Sequence, residues 1–107
     1  WIGCCYSPDH DNASLMWSKP RELTKYKGNG YEIAFYSWHS DGNHIAEPEE
    51  ALDGWKNSQG HNEVILNKGI WQTSTWKAIG IGIYHGYAMV WFGEEVDTEP
   101  TPSTCNQ

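Results

Sequence analysis

The sequence reads as an α+β domain in which helices layer against an antiparallel sheet, and three stretches carry that reading. Tyr31-Glu-Ile-Ala-Phe-Tyr36 is aromatic and branched over the length of a short strand. Glu47-Pro-Glu-Glu-Ala-Leu-Asp-Gly-Trp-Lys56 opens with acids around a proline, the residue and charges favoured in a first helical turn. Two apolar runs, Ala78 to Tyr84 and Tyr87 to Phe92, are separated only by His85-Gly86, the signal of a tight hairpin.

Taken in order, residues 1–30 are punctuated by Pro8, Asp9, Asp11, Asn12, Pro20, Gly28, Asn29 and Gly30 and read as loop, with a short helical turn near Arg21 to Thr24. The strand over 31–36 carries Glu32 within it, and a polar loop from Ser37 to Ala46 follows. In the helix after Pro48, Ala51, Leu52 and Trp55 form one apolar stripe. Gly60, a natural left-handed cap, predicts a stop near Ser58. The stretch Asn57-Ser-Gln-Gly-His-Asn-Glu-Val-Ile-Leu66 then sets His61 at the seam between a polar turn and an apolar run. Ile79, Ile81 and Ile83 share one face of the next strand; Ala78, Gly80 and Gly82 share the other, where something can approach closely. The run Tyr87 to Phe92 barely alternates, which predicts cover on both faces.

The 107 residues are about one small domain, with residues 1–95 as its body and 96–107 as a Pro/Thr-rich tail. A formal charge of -7 with seven Trp and six Tyr argues against binding nucleic acid through its phosphates. No apolar run approaches the roughly 20 residues that cross a bilayer, so no membrane span is expected. Cys4, Cys5 and Cys105 lie at the two extremities, an arrangement suited to closing the ends together in an oxidising compartment. Cys5 with Cys105 is the favoured pair, which leaves Cys4 for a second chain or as a free thiol. Asn12-Ala-Ser14 is a glycosylation acceptor triplet. These features together predict a secreted, extracellular protein.

The order Gly30-Tyr-Glu-Ile-Ala34, Trp55-x-x-Ser58-x-Gly60-His61, Ile79-Gly-Ile-Gly82 and Val90-Trp-Phe-Gly93 resembles the CAP superfamily of cysteine-rich secretory proteins, antigen 5 and plant pathogenesis-related proteins. The resemblance covers about residues 4–94. It implies an α-β-α sandwich around a central antiparallel sheet, and a cleft glutamate and histidine that look like Glu32 and His61. A further cleft histidine shortly after a cysteine is matched by His10 after Cys5. Ser58 stands where many members carry a second cleft glutamate, as in microbial-type members. The family domain begins with a helix bearing a His-Asn-x-x-Arg pattern that is not matched here, so that part is expected upstream of Trp1 or on another chain.

Each candidate has a plain alternative. His10, Glu32 and His61 form a sensible donor set for zinc or another divalent cation, with His10 and His61 as the imidazole ligands; the alternative is a polar cleft without metal. Ser58 and His61, three apart, suggest a nucleophile and base with Glu32 orienting them. Against that, Ser58 reads as a helix-end residue bonded to local backbone. His39, Asp41 and His44 form a rival cluster that also suits a solvated loop, and His85 reads as a turn residue. Trp55 and Trp91 are expected in the core, whereas Trp38, Trp71 and Trp76 sit beside polar residues and stay open to surface roles. The expected function is a secreted binding module with a His/Glu cleft for a lipid, sterol or protein partner. The alternatives are a structural component of an extracellular matrix and a weak metal-dependent or serine-type hydrolase.

Overall fold

The computed structural model describes residues 17–38 and 45–101. His10, Asn12, Cys4, Cys5, Cys105 and the His39/Asp41/His44 group lie outside these residues. The described elements follow the order α1 (Lys19–Leu23), β1 (Tyr31–Tyr36), α2 (Pro48–Lys56), α3 (Gln59–Leu66), a 3-10 turn at Gly69–Trp71, β2 (Ala78–Tyr84) and β3 (Tyr87–Gly93). The fold is therefore small and α+β, with a three-stranded antiparallel sheet in the order β1-β3-β2. Among the described residues, no helix is long and apolar enough to cross a membrane.

β3 barely alternates because residues on both of its faces, Ala88 and Phe92 on one and Met89 and Trp91 on the other, are buried. It is bonded on both sides, Tyr31 standing opposite Phe92, Glu32 opposite Trp91 and Ile79 opposite Phe92. Residues opposite one another point to the same face. One face thus carries Tyr31, Ile33 and Phe35 with Phe92, Val90 and Ala88. Onto it pack Ala51 and Trp55 of α2 and Val64 of α3, forming the hydrophobic core. The other face carries Glu32 beside Trp91 and Gly80, with Trp91 buried beneath Pro20 and Gly30.

The helices lean toward β1, and Trp55 fastens that side by donating its indole N–H to the Ala34 carbonyl at 3.0 Å. Ser37, buried just past β1, donates to Glu50 Oε1 of α2 at 2.9 Å. The far side of the sheet is left with less cover: Ile79 and Ile81 on β2 are 60% and 61% exposed, while Ile83 packs against the core.

The hairpin falls at His85-Gly86, and His85 adopts a left-handed φ of 50°. A side chain at Gly86 would collide with the Ser37 carbonyl oxygen. That closeness lets the turn anchor both ends of the loop before α2: Ser37 N–H donates to the Gly86 carbonyl at 2.8 Å, and Ala46 N–H to the His85 carbonyl at 2.6 Å.

One local expectation is corrected. α2 ends at Lys56, near the expected stop, but Gly60 does not cap it; the glycine lies in the first turn of the next helix, α3, whose N-cap is Ser58. Among the described residues, nothing lies near the position of a would-be Cβ on Gly60. The helix forms around it because Val64 and Ile65 gain burial against the core. That burial outweighs the ~1 kcal/mol by which glycine disfavours a helix. The left-handed cap comes later, at Asn67 (φ 53°, ψ 53°), whose N–H donates to the Glu63 and Val64 carbonyls.

Candidate functional site

Aromatic side chains build a cavity at the edge of β1. Tyr31 stands on the core face with its ring centroid 5.3 Å from Trp71 at an interplanar angle of 70° and 5.6 Å from Trp76. Trp76 in turn stacks on Phe92 at 5.4 Å and donates its indole N–H to the Val64 carbonyl at 2.7 Å, tying the row to the end of α3. Asn67 Nδ2 donates to the Trp71 carbonyl at 3.4 Å, which holds the 3-10 turn beside the same helix.

The opposite wall comes from the segment before β1. Gly30 N–H donates to the Trp17 carbonyl at 2.9 Å, bringing Trp17 beside Asn29. A Cβ on Gly30 would overlap both Trp91 and Pro20, so only glycine lets this segment lie so close to the sheet. Between the walls is a cavity of about 380 Å³, lined by Trp17, Asn29, Gly30, Tyr31 and Glu32 on one side and by Val64 and Trp71 on the other. An adjoining polar cavity of about 340 Å³ shares Asn29 and Tyr31 and is bordered by Arg21, Lys27, Glu94 and Glu95. Asn29 Oδ1 is buried, with no hydrogen-bond partner among the described residues.

The sequence-derived candidates fall in separate places. Glu32 lines the larger cavity. Its position opposite Trp91 directs it to the face away from the α3 packing. His61 sits half-buried on the first turn of α3, its Nδ1 2.7 Å from the Ser58 hydroxyl oxygen. The structure therefore brings Ser58 and His61 together. The Ser58 side chain makes no cap bond to backbone N–H, so the expected bond to local backbone is replaced by one to the imidazole. Among the described residues no group of three or more His, Cys, Asp or Glu side chains could hold a metal ion, and His10, the third member of the proposed donor set, lies outside them.

Trp55 and Trp91 are buried as expected. Trp71 and Trp76 pack against the core, Trp71 also lining the cavity, and Trp38 is 72% exposed. Sequence reasoning passed over Trp17 and Asn29 as cavity residues. The available signal was Gly28-Asn29-Gly30, two glycines flanking an amide immediately before a strand, which marks a close approach of backbone.

A phenol closes the other end of the same segment. Tyr26 donates its O–H to the Glu95 carbonyl at 2.7 Å and accepts from the Glu95 N–H at 3.0 Å, clamping the loop before β1 to the chain leaving β3. Burial, together with the acids Glu95, Asp97 and Glu94, raises the Tyr26 pKa above its ordinary value.

No family model, curated protein or solved structure matches the chain.

Proposed function

We propose that this chain is a CAP-like binding module, secreted and extracellular, that takes a small ligand or an exposed part of a larger one into the cavity at the edge of β1. The observation carrying the reading is the cavity of about 380 Å³, walled mostly by aromatic and apolar groups with Glu32 and Asn29 as its polar members. Concave, mainly apolar sites with a few convergent polar groups are the usual form of ligand pockets. The α+β layering, the antiparallel sheet and the position of His61 on α3 are compatible with the CAP-like sandwich. Zinc or another divalent cation at His10 and His61 remains part of the proposal, as do Cys5–Cys105 closure, a second chain through Cys4 and sugar at Asn12. A titration of tryptophan emission with a fluorescent fatty acid and a fluorescent sterol tests the reading. Saturable energy transfer that is weakened in Trp17→Ala supports it, and a flat titration with both probes refutes it for lipid and sterol ligands.

The contact between Ser58 and His61 favours a second reading, a serine-type hydrolase in which the imidazole takes the hydroxyl proton. The pair is local, spanning the first turn of α3, and such side-chain pairing also serves to order a helix start. Turnover of an ester panel that disappears in both Ser58→Ala and His61→Ala, with the fold retained, would favour the hydrolase. The matrix-component reading is separated by size under non-reducing conditions, where disulfide-linked multimers are its signature.

A further inference from the structure

Packing dictates glycine at residue 30, and that glycine follows an asparagine. A Cβ there would overlap the Trp91 ring and Pro20, and the Gly30 N–H donates to the Trp17 carbonyl at 2.9 Å. The segment is held at its other end as well: a Cβ on Gly28 would press on the Tyr26 hydroxyl and on Glu95, the pair joined by two hydrogen bonds. Between these points sits Asn29, its Oδ1 buried. Asn29-Gly30 is the one Asn-Gly dipeptide of the sequence. Asparagine is among the chemically labile residues, and its side chain cyclises most readily where the next residue has no Cβ to hinder attack by its nitrogen. The packing requirement at 30 thus creates a reactive dipeptide.

The same packing restrains the reaction. Gly30 must lose its amide proton before its nitrogen can attack the side-chain carbonyl carbon of Asn29. In the fold that proton is held by the Trp17 carbonyl oxygen, which is too weak a base to remove it, and Gly30 is buried from hydroxide. Reaction therefore requires local opening of the segment, the same event that lets a buried, hydrogen-bonded amide exchange with solvent.

We propose that Asn29-Gly30 is a latent self-modification site, closed in the fold and reacting with water when the segment before β1 opens. The Gly30 nitrogen, its proton given to hydroxide, bonds to Asn29 Cγ; the side-chain amide leaves as ammonia, and a five-membered succinimide remains. Water then adds to either imide carbonyl. Cleavage of the new bond gives aspartate at position 29, and cleavage of the original peptide bond routes the main chain through the side chain as isoaspartate, one methylene longer. One water is consumed and one ammonia released. Neither product suits the closed segment: aspartate sets a carboxylate at the buried Oδ1, and isoaspartate displaces Gly30, which has no spare room against Trp91 and Pro20. The step is one-way, and it removes the Trp17 wall from the cavity whatever the cavity binds.

The test incubates the full 107-residue chain in mildly alkaline buffer, folded and in unfolding urea. Conversion at position 29 is read by peptide mass and by isoaspartyl methyltransferase labelling. It is expected to be at least about ten-fold slower in the folded chain than in urea. Tyr26→Phe, which loses the clamp to Glu95, is expected to speed conversion in the folded chain about five-fold, and hydrogen exchange at the Gly30 amide by the same factor. Should that variant not fold, the native chain in urea below its unfolding midpoint takes its place, with both rates rising together. The purified isoaspartyl chain is expected to melt at a lower temperature than the native one. Equal conversion folded and unfolded, no conversion in urea, conversion and exchange that change independently, or a converted chain that melts with the native one each overturn the proposal.

Discussion

Replacing Trp55 by Phe probes the fastening of helix to sheet on which the cavity edge depends. Trp55 is buried between α2 and β1, its ring 6.4 Å from Phe35 in an edge-to-face arrangement and its indole N–H bonded to the Ala34 carbonyl at 3.0 Å. Phenylalanine keeps one aromatic ring next to Cβ and part of the apolar contact but removes the donor and the outer, benzo ring. The lost hydrogen bond is worth about 1 kcal/mol net, because Ala34 is exposed and water can replace the donor at its carbonyl. The smaller ring leaves a space in the core that adds about 1–2 kcal/mol. The sum, about 2–3 kcal/mol, is a sizeable fraction of the roughly 5–15 kcal/mol that holds a domain together. Urea denaturation followed by circular dichroism and by tryptophan emission measures it, with the midpoint expected to fall and the slope to stay constant. A loss below about 0.5 kcal/mol would refute the argument, since a Trp55 that matters so little cannot be what joins α2 to β1.

Other perturbations follow from the same geometry. Gly86→Ala drives a methyl group into the Ser37 carbonyl and loosens both loop anchors at the hairpin, so a stability loss above about 1 kcal/mol is expected by thermal melting. Asn67→Ala puts a residue less tolerant of left-handed backbone at the α3 cap and removes the amide bond to Trp71, with a loss of about 1 kcal/mol expected in urea. Tyr26 has a pKa raised in the fold, so the unfolded chain ionises first as the solution becomes alkaline. Its contribution is complete below the ordinary tyrosine value of 10.0 and is lost as pH rises from there through the folded value. Stability of the native chain should therefore decline across that window more steeply than that of Tyr26→Phe, and parallel profiles for the two would refute the assignment.

Much of the backbone plan was legible because local signals and tertiary needs agreed. The strand over 31–36, the hairpin at His85-Gly86 and the helix after Pro48 are each written in turn chemistry, proline placement and branched or aromatic runs. At Gly60 the two disagreed in part: α2 does stop before Ser58, as local propensity predicts, but the glycine lies inside a new helix, α3, held by burial of Val64 and Ile65. The candidate site was legible residue by residue but not as an arrangement. Ser58 and His61 could be paired from their spacing, whereas the company of Glu32 could not.

The sequence by itself determined the α+β class, the short strand β1, the alternation along β2 and the tight turn between β2 and β3, since these depend on residue type, side-chain period and glycine within a few residues. Only tertiary structure decided that Trp17, Tyr31 and Trp71 border one cavity with Glu32, and that Ile79 and Ile81 face solvent on the outer strand. Both outcomes depend on which strand lies at the centre of the sheet and where the helices settle on it. That choice is made by packing between segments far apart in the chain, and no local pattern records it.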